Sequence, residues 1–163
     1  MTLSDEQIEA YKRDGYVLVS GLIPDEIAAL AGVAVWGGMG ARPGDPRSWP
    51  ERYAENHKQA EIVACYTENF LGTAARLCGD PVDTIRTPKG ATAITIFPTP
   101  GEWTPPSPHI DHAIKDHGHK TFPRPFRVAT MAFLSDVEMQ GGGTAVWPGS
   151  PHQIEALARS DEA

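Results

Sequence analysis

Apolar residues in the first half of the chain recur at helical spacing, behind residues that start helices well. Ser4 is a suitable N-cap, and Gln7 stands at the capping-box position behind it. The helix that begins there should end at Asp14-Gly15. Pro24 is expected to open a second helix, Asp25 to about Val35, with acidic residues in its first turn. A third helical stretch is predicted over roughly 61–77.

The pattern then changes to short β-rich runs separated by turns and prolines. The clearest run is Ala91–Phe97, and it is followed by a proline-dense loop over 98–108. The other expected strands are Tyr16–Val19, Arg127–Leu134 and Thr144–Trp147, with a Gly141–Gly143 turn between the last two. Helices followed by strands indicate an α+β fold with a mainly antiparallel sheet.

The organisation expected from this pattern is a single domain over residues 1–163. Residues 1–80 form its mainly helical part, and residues 81–163 form its strand-and-loop part. The chain has 16 glycines and 15 prolines among 163 residues, which favours many turns and argues against a helical bundle. No linker composition separates the two parts.

Charge and cysteine content narrow the classes of partner. The net charge is −7 and no basic run stands out, so nucleic acid and anionic membranes are not expected as partners. Cys65 and Cys78 form no CxxC motif and are expected to be reduced thiols. The acidic N-terminus does not resemble a signal peptide, and no apolar run approaches a membrane span. The expected location is the cytoplasm.

Four of the six histidines lie close together, in His109-Ile110-Asp111-His112 and at His117 and His119. Non-haem iron oxygenases use two imidazoles and one carboxylate on one face of the ion. On an extended segment, residues i and i+2 point to the same side, so His109 and Asp111 can bind one metal ion. We therefore predict these two residues as metal ligands, although a lone His-x-Asp motif is common by chance.

Three stretches together resemble the phytanoyl-CoA dioxygenase-like family of Fe(II)- and 2-oxoglutarate-dependent oxygenases. They match its helix–DGY–strand opening, its iron-binding motif and its "L-x-D-V … G … PGSH" signature. The stretches are Tyr11–Val19 with Gly21–Pro24, Pro108–Asp111, and Phe133–Val137 with Gly142–Ser150. Their order and spacing agree with the family over most of the chain.

The resemblance implies a double-stranded β-helix (a jelly-roll or cupin-like fold) with the N-terminal helices packed on the sheet. It also implies an Fe(II) centre with 2-oxoglutarate as co-substrate. Such an enzyme hydroxylates a small organic substrate and releases succinate and CO₂. The protein holds the ligands, orients the substrate and excludes water. A small molecule is therefore the expected partner, and a homo-oligomer is an open alternative.

One departure from the family concerns its distal histidine and the arginine that anchors 2-oxoglutarate. Both follow the PGSH signature by many residues, and here the signature lies close to Ala163, so neither can be carried over. The β-helix is accordingly expected to be incomplete at its C-terminal end. Three explanations stay open. The chain is part of a longer enzyme, or its site is completed by a local histidine or by a second chain, or it has lost catalytic activity.

Several other residues have both a functional and a structural interpretation. The alternative function is a non-catalytic β-helix module that has lost the complete iron triad and binds either zinc or another ligand. His117 and His119 could support the zinc module, but the polar sequence around them is typical of an exposed loop. His152 lies near the position of the signature histidine, displaced by Pro151, and is expected to bond backbone.

Surface or core packing is favoured for Trp36, Arg47, Trp49, Trp103 and Trp147, and His112 is expected beside the metal or at the surface. Met131 and Phe133 alternate with Thr130 and Ala132, so one of the two sets faces the interior of the expected barrel and could contact a co-substrate. Lys89 and Arg127 are the basic residues nearest the motif in the strand region, and neither is favoured as a replacement for the missing arginine.

Overall fold

The computed structural model describes residues 3–98, 101–109 and 128–160. Within these ranges the chain forms five α-helices, two β-strands and two short 3-10 helices. The helices are α1 (Asp5–Asp14), α2 (Asp25–Met39), α3 (Ala60–Val63), α4 (Glu68–Cys78) and α5 (Ser150–Ser160); the strands are β1 (Tyr53–His57) and β2 (Ala91–Thr95). The 3-10 helices are Pro46–Ser48 and Val82–Thr84.

Helix α1 begins and ends where the sequence predicts. The Ser4 hydroxyl accepts from Gln7 N–H at 3.1 Å, and the Gln7 side chain accepts from Ser4 N–H at 2.9 Å, which completes the capping box. Gly15 ends the helix with φ +84°, and its N–H donates to the Tyr11 carbonyl. The predicted cap chemistry is confirmed at both ends.

The predicted third helix is divided into α3 and α4 by a turn at residues 64–67. Thr67 causes the division because its hydroxyl oxygen accepts from Phe70 N–H at 3.1 Å and so caps α4. The same hydroxyl donates to the Leu22 carbonyl at 2.7 Å. A continuous helix would lose both contacts.

Strands β1 and β2 form a two-stranded antiparallel sheet, with register running from Tyr53↔Thr95 to His57↔Ala91. β2 confirms most of the predicted run at 91–97, whereas the sequence pattern predicts no element at β1. The predicted strand at 16–19 is irregular, and no strand is present in the described residues 128–134 and 144–147. The predictions of these three strands are wrong, because a segment with high β propensity forms a strand only where a neighbouring strand supplies hydrogen bonds.

The hydrophobic core lies between α2, α3 and one face of the sheet. Ala31 and Val35 of α2 pack against Ile62 and Cys65, and all four are buried. Tyr53, Ala91, Ala93 and Leu134 are among the partly buried side chains against this cluster. The opposite face of β2 is exposed, with Ile94 at 57%. The double-stranded β-helix stays a prediction, since two strands are shared by many folds.

Within the same ranges, no helix has both the length and the apolar character that a bilayer crossing requires.

Candidate metal site and its surroundings

His109 lies at the end of the irregular segment that follows β2, and its side chain is exposed. Its ring Nδ1 is 3.2 Å from the carbonyl oxygen of Ser107. Because a carbonyl oxygen can only accept, Nδ1 carries the hydrogen in this contact. In the neutral imidazole, the lone pair then belongs to Nε2.

This tautomer is the one that metal-binding histidines commonly use. A ligand histidine usually donates its second ring N–H to a carbonyl or a carboxylate, which fixes the ring orientation. The Ser107 contact provides such a donor–acceptor pair, so His109 fits the role of an iron ligand.

Asp111, the predicted second ligand, lies outside the described residues. The same holds for His112, His117, His119 and Arg127. Among the residues that the structure does describe, no group of three or more His, Cys, Asp or Glu side chains could hold a metal ion. Of the two predicted ligands, His109 lies in the described part of the chain and Asp111 does not.

His152 is in the first turn of α5 and bonds the backbone of α1. Its Nε2 donates to the Lys12 carbonyl at 2.6 Å, and Gly149 N–H donates to the Asp14 carbonyl at 2.9 Å. The interpretation of His152 as a backbone-bonding residue is confirmed, although it lies in a helix that the sequence did not predict. Two of the three stretches that carry the family resemblance thus meet at the end of α1.

The contact between α1 and α5 also depends on Gly15. A Cβ atom at Gly15 would overlap the Pro151 ring, with Pro151 Cδ only 2.8 Å away. Pro151, which stands directly before His152, therefore packs into the space that the missing side chain of Gly15 leaves.

The pair formed by the partly buried Tyr53 and the buried His57 was not found from the sequence. His57 is 4% exposed, and its Nε2 is 2.6 Å from the Tyr53 hydroxyl oxygen. Its Nδ1 is buried and has no hydrogen-bond partner among the residues that the structure describes. Tyr53 and His57 are four residues apart, which places both side chains on one face of β1. The exposed Glu55 lies between them on the same face, so the expected alternation of apolar and polar residues is interrupted.

Cys65 is buried beside the core and is not suited to metal binding or nucleophilic chemistry. Burial raises the pKa of its thiol above the ordinary value, and Sγ–H donates to the Glu61 carbonyl at 3.6 Å. Metal ligation and nucleophilic attack both require the thiolate, which this environment disfavours.

The remaining candidate side chains in the described residues are exposed or partly buried. Trp103, Met131, Phe133 and Trp147 are exposed by 47–56%, and Lys89 is exposed. Trp36 and Trp49 are partly buried and contact Phe97, which the sequence analysis had placed only in a strand.

Comparisons with protein families, with curated proteins and with solved structures found no match to this chain.

Proposed function

We propose that the chain is a non-haem Fe(II)- and 2-oxoglutarate-dependent dioxygenase that hydroxylates a small organic substrate. The proposal rests on the three resembling stretches of sequence. One observation from the structure supports it: His109 Nδ1–H is directed to the Ser107 carbonyl, which leaves Nε2 as the nitrogen with the lone pair.

In this proposal His109 and Asp111 hold the iron through one imidazole nitrogen and one carboxylate oxygen. The iron would supply O₂ activation coupled to oxidation of 2-oxoglutarate. One oxygen atom of O₂ enters the substrate C–H bond and the other enters succinate, while CO₂ leaves. The third ligand and the residue that anchors 2-oxoglutarate are assigned to no position.

Ser107 has a positioning role here, because its carbonyl sets the proton on Nδ1 and the orientation of the ring. The contact comes from the backbone, so it survives substitution of the Ser107 side chain. The cytoplasm is the proposed compartment, and the reduced state of Cys65 and Cys78 is compatible with it.

The test is succinate formation from 2-oxoglutarate under Fe(II) and O₂, with a panel of small organic substrates. We expect substrate-dependent succinate release that Asp111→Ala abolishes and Asp83→Ala leaves unchanged. Asp83 is exposed and lies outside the three resembling stretches, which makes it a matched control.

Succinate release that persists at full rate in Asp111→Ala would contradict the proposal. Stoichiometric zinc uptake by a protein that forms no succinate, lost on changing His117 and His119, would support the zinc module instead.

A further inference from the structure

Three aromatic rings from separate parts of the chain meet beside the sheet and form what we call the aromatic cluster: Trp36, Trp49 and Phe97. Trp36 belongs to α2, Trp49 follows the first 3-10 helix, and Phe97 follows β2. Trp49 and Phe97 stack with ring centroids 4.8 Å apart and planes at 19°. Trp36 is tilted against both, with centroids 6.1 Å away.

Hydrogen bonds within the loop before β1 fix the Trp49 ring in place. Its indole N–H donates to the Arg42 carbonyl at 2.7 Å. Arg42 N–H in turn donates to the Ser48 hydroxyl at 2.9 Å, and that hydroxyl donates to the Asp45 carbonyl at 2.7 Å. A ligand that used this ring would therefore meet an already ordered surface, which lowers the entropy cost of binding.

The aromatic cluster lies outside the main core of the described residues. None of its rings belongs to the group around Ala31 and Val35, and all three stay partly exposed. Since the one polar atom of Trp49 is already bonded within the loop, its exposed surface is aromatic. Such a surface binds planar rings by stacking.

The loop that holds Trp49 also contains two arginines, Arg42 and Arg47. The side chain of Arg42 is exposed, and its own carbonyl holds the Trp49 indole. The side chain of Arg47 is 90% exposed, and its guanidinium is paired with Asp45 at 3.2 Å. Because an exposed pair is weak, a ligand anion can compete for the guanidinium.

We propose that the aromatic cluster is a binding site for a planar aromatic carboxylate. The ligand ring stacks on the exposed indole surface, and Arg42 pairs with the carboxylate. This site uses no residue of the His-x-Asp motif and needs no metal, so it can be tested independently of the oxygenase proposal.

The experiment uses the full chain labelled with 5-fluorotryptophan at Trp36, Trp49, Trp103 and Trp147, with 2-naphthoate as the probe. We expect a saturable ¹⁹F shift of Trp36 and Trp49, with the signals of the other two unchanged. The uncharged probe 2-naphthamide should bind at least tenfold more weakly. Arg42→Ala should remove that preference, whereas Arg86→Ala, at another exposed arginine, should keep it.

The absence of a saturable shift at Trp36 and Trp49 would overturn the proposal, as would equal shifts at all four positions. Preference for naphthoate that persists in Arg42→Ala would overturn the role given to Arg42. Intermolecular NOEs between naphthoate and the indole protons of unlabelled protein repeat the test without substitution or fluorine. Binding should be unchanged in Asp111→Ala, which separates this result from the metal site.

Discussion

At the scale of the residue, the missing side chain of Gly15 has two structural consequences, one for α1 and one for α5. Its φ of +84° ends α1, and the space beside it accommodates the Pro151 ring of α5. Gly79 ends α4 with φ +69° but has nothing within 4 Å of a Cβ position. The two glycines share the left-handed backbone conformation, but only Gly15 has a neighbouring residue, Pro151, where a Cβ atom would lie.

We therefore expect Gly15→Ala to destabilise the fold more than Gly79→Ala does. Gly79→Ala should cost about 1 kcal/mol for a left-handed alanine, and Gly15→Ala should add the overlap with Pro151. Urea unfolding measures both. In a Pro151→Ala background the extra cost should disappear, because Cγ and Cδ are gone. Equal costs for the two glycines in the native background would show that α5 does not pack on α1.

Cys65 gives a second prediction at this scale, because burial raises the pKa of its thiol above the ordinary value of 9.0. Above the unfolded pKa, the unfolded thiol loses a proton that the folded thiol keeps, so stability falls as pH rises. We expect the unfolding midpoint in urea to fall between about pH 8 and 10 and to fall less steeply in Cys65→Ala. Burial also raises the pKa of Tyr11 and Tyr66, so part of the slope should remain. Parallel pH profiles for the two proteins would contradict this account.

Helix α2 shows, at the scale of the element, that adjacent glycines can have opposite roles. A Cβ atom at Gly38 would lie 2.5 Å from His57 Cε1, on β1, whereas nothing lies within 4 Å of one at Gly37. Helix propensity alone would favour alanine at both positions. Only the contact with the sheet distinguishes them.

Gly37→Ala should therefore stabilise the protein, by up to about 1 kcal/mol from helix propensity, and Gly38→Ala should destabilise it. The reason for the loss is that His57 is buried and cannot move without disturbing its contact with Tyr53. Thermal unfolding of the two variants gives the sign directly. Stabilisation by both substitutions would show that α2 does not pack closely against β1.

The same elements show what local sequence could predict. The capping box at Ser4 and the left-handed Gly15 are local signals, and α1 was predicted correctly from them. The division at Thr67 has a local cause, the N-cap bond from Phe70, but it also involves a bond to Leu22, 45 residues away in sequence, and β1 depends on pairing with β2. Such contacts leave no trace in local periodicity, so these elements could not be placed from the sequence.

At the scale of the whole molecule, the described part of the chain has one covered sheet face and one exposed face. Helices α2 and α3 cover the side of Ala91 and Ala93, while Ile94 and Ile96 are 57% and 62% exposed on the other. A two-stranded sheet gains little stability alone, so the packing of α2 and α3 supplies most of its support.

The candidate site could be predicted only as a pair of residues close in sequence. The spacing of His109 and Asp111 is visible in the chain, and so is the preceding β2. The Ser107 contact, the aromatic cluster and the bond from His152 to Lys12 depend on three-dimensional packing. His152 and Lys12 are 140 residues apart, and no sequence pattern connects them.

The most direct test of the central claim is anaerobic Fe(II) binding measured by calorimetry. The unmodified protein should bind one Fe(II) per chain, and His109→Ala and Asp111→Ala should each weaken binding at least tenfold. Asp83→Ala, at an exposed aspartate outside the resembling stretches, should bind like the unmodified protein. Equal Fe(II) affinity in all four proteins would contradict the claim that His109 and Asp111 share one metal ion.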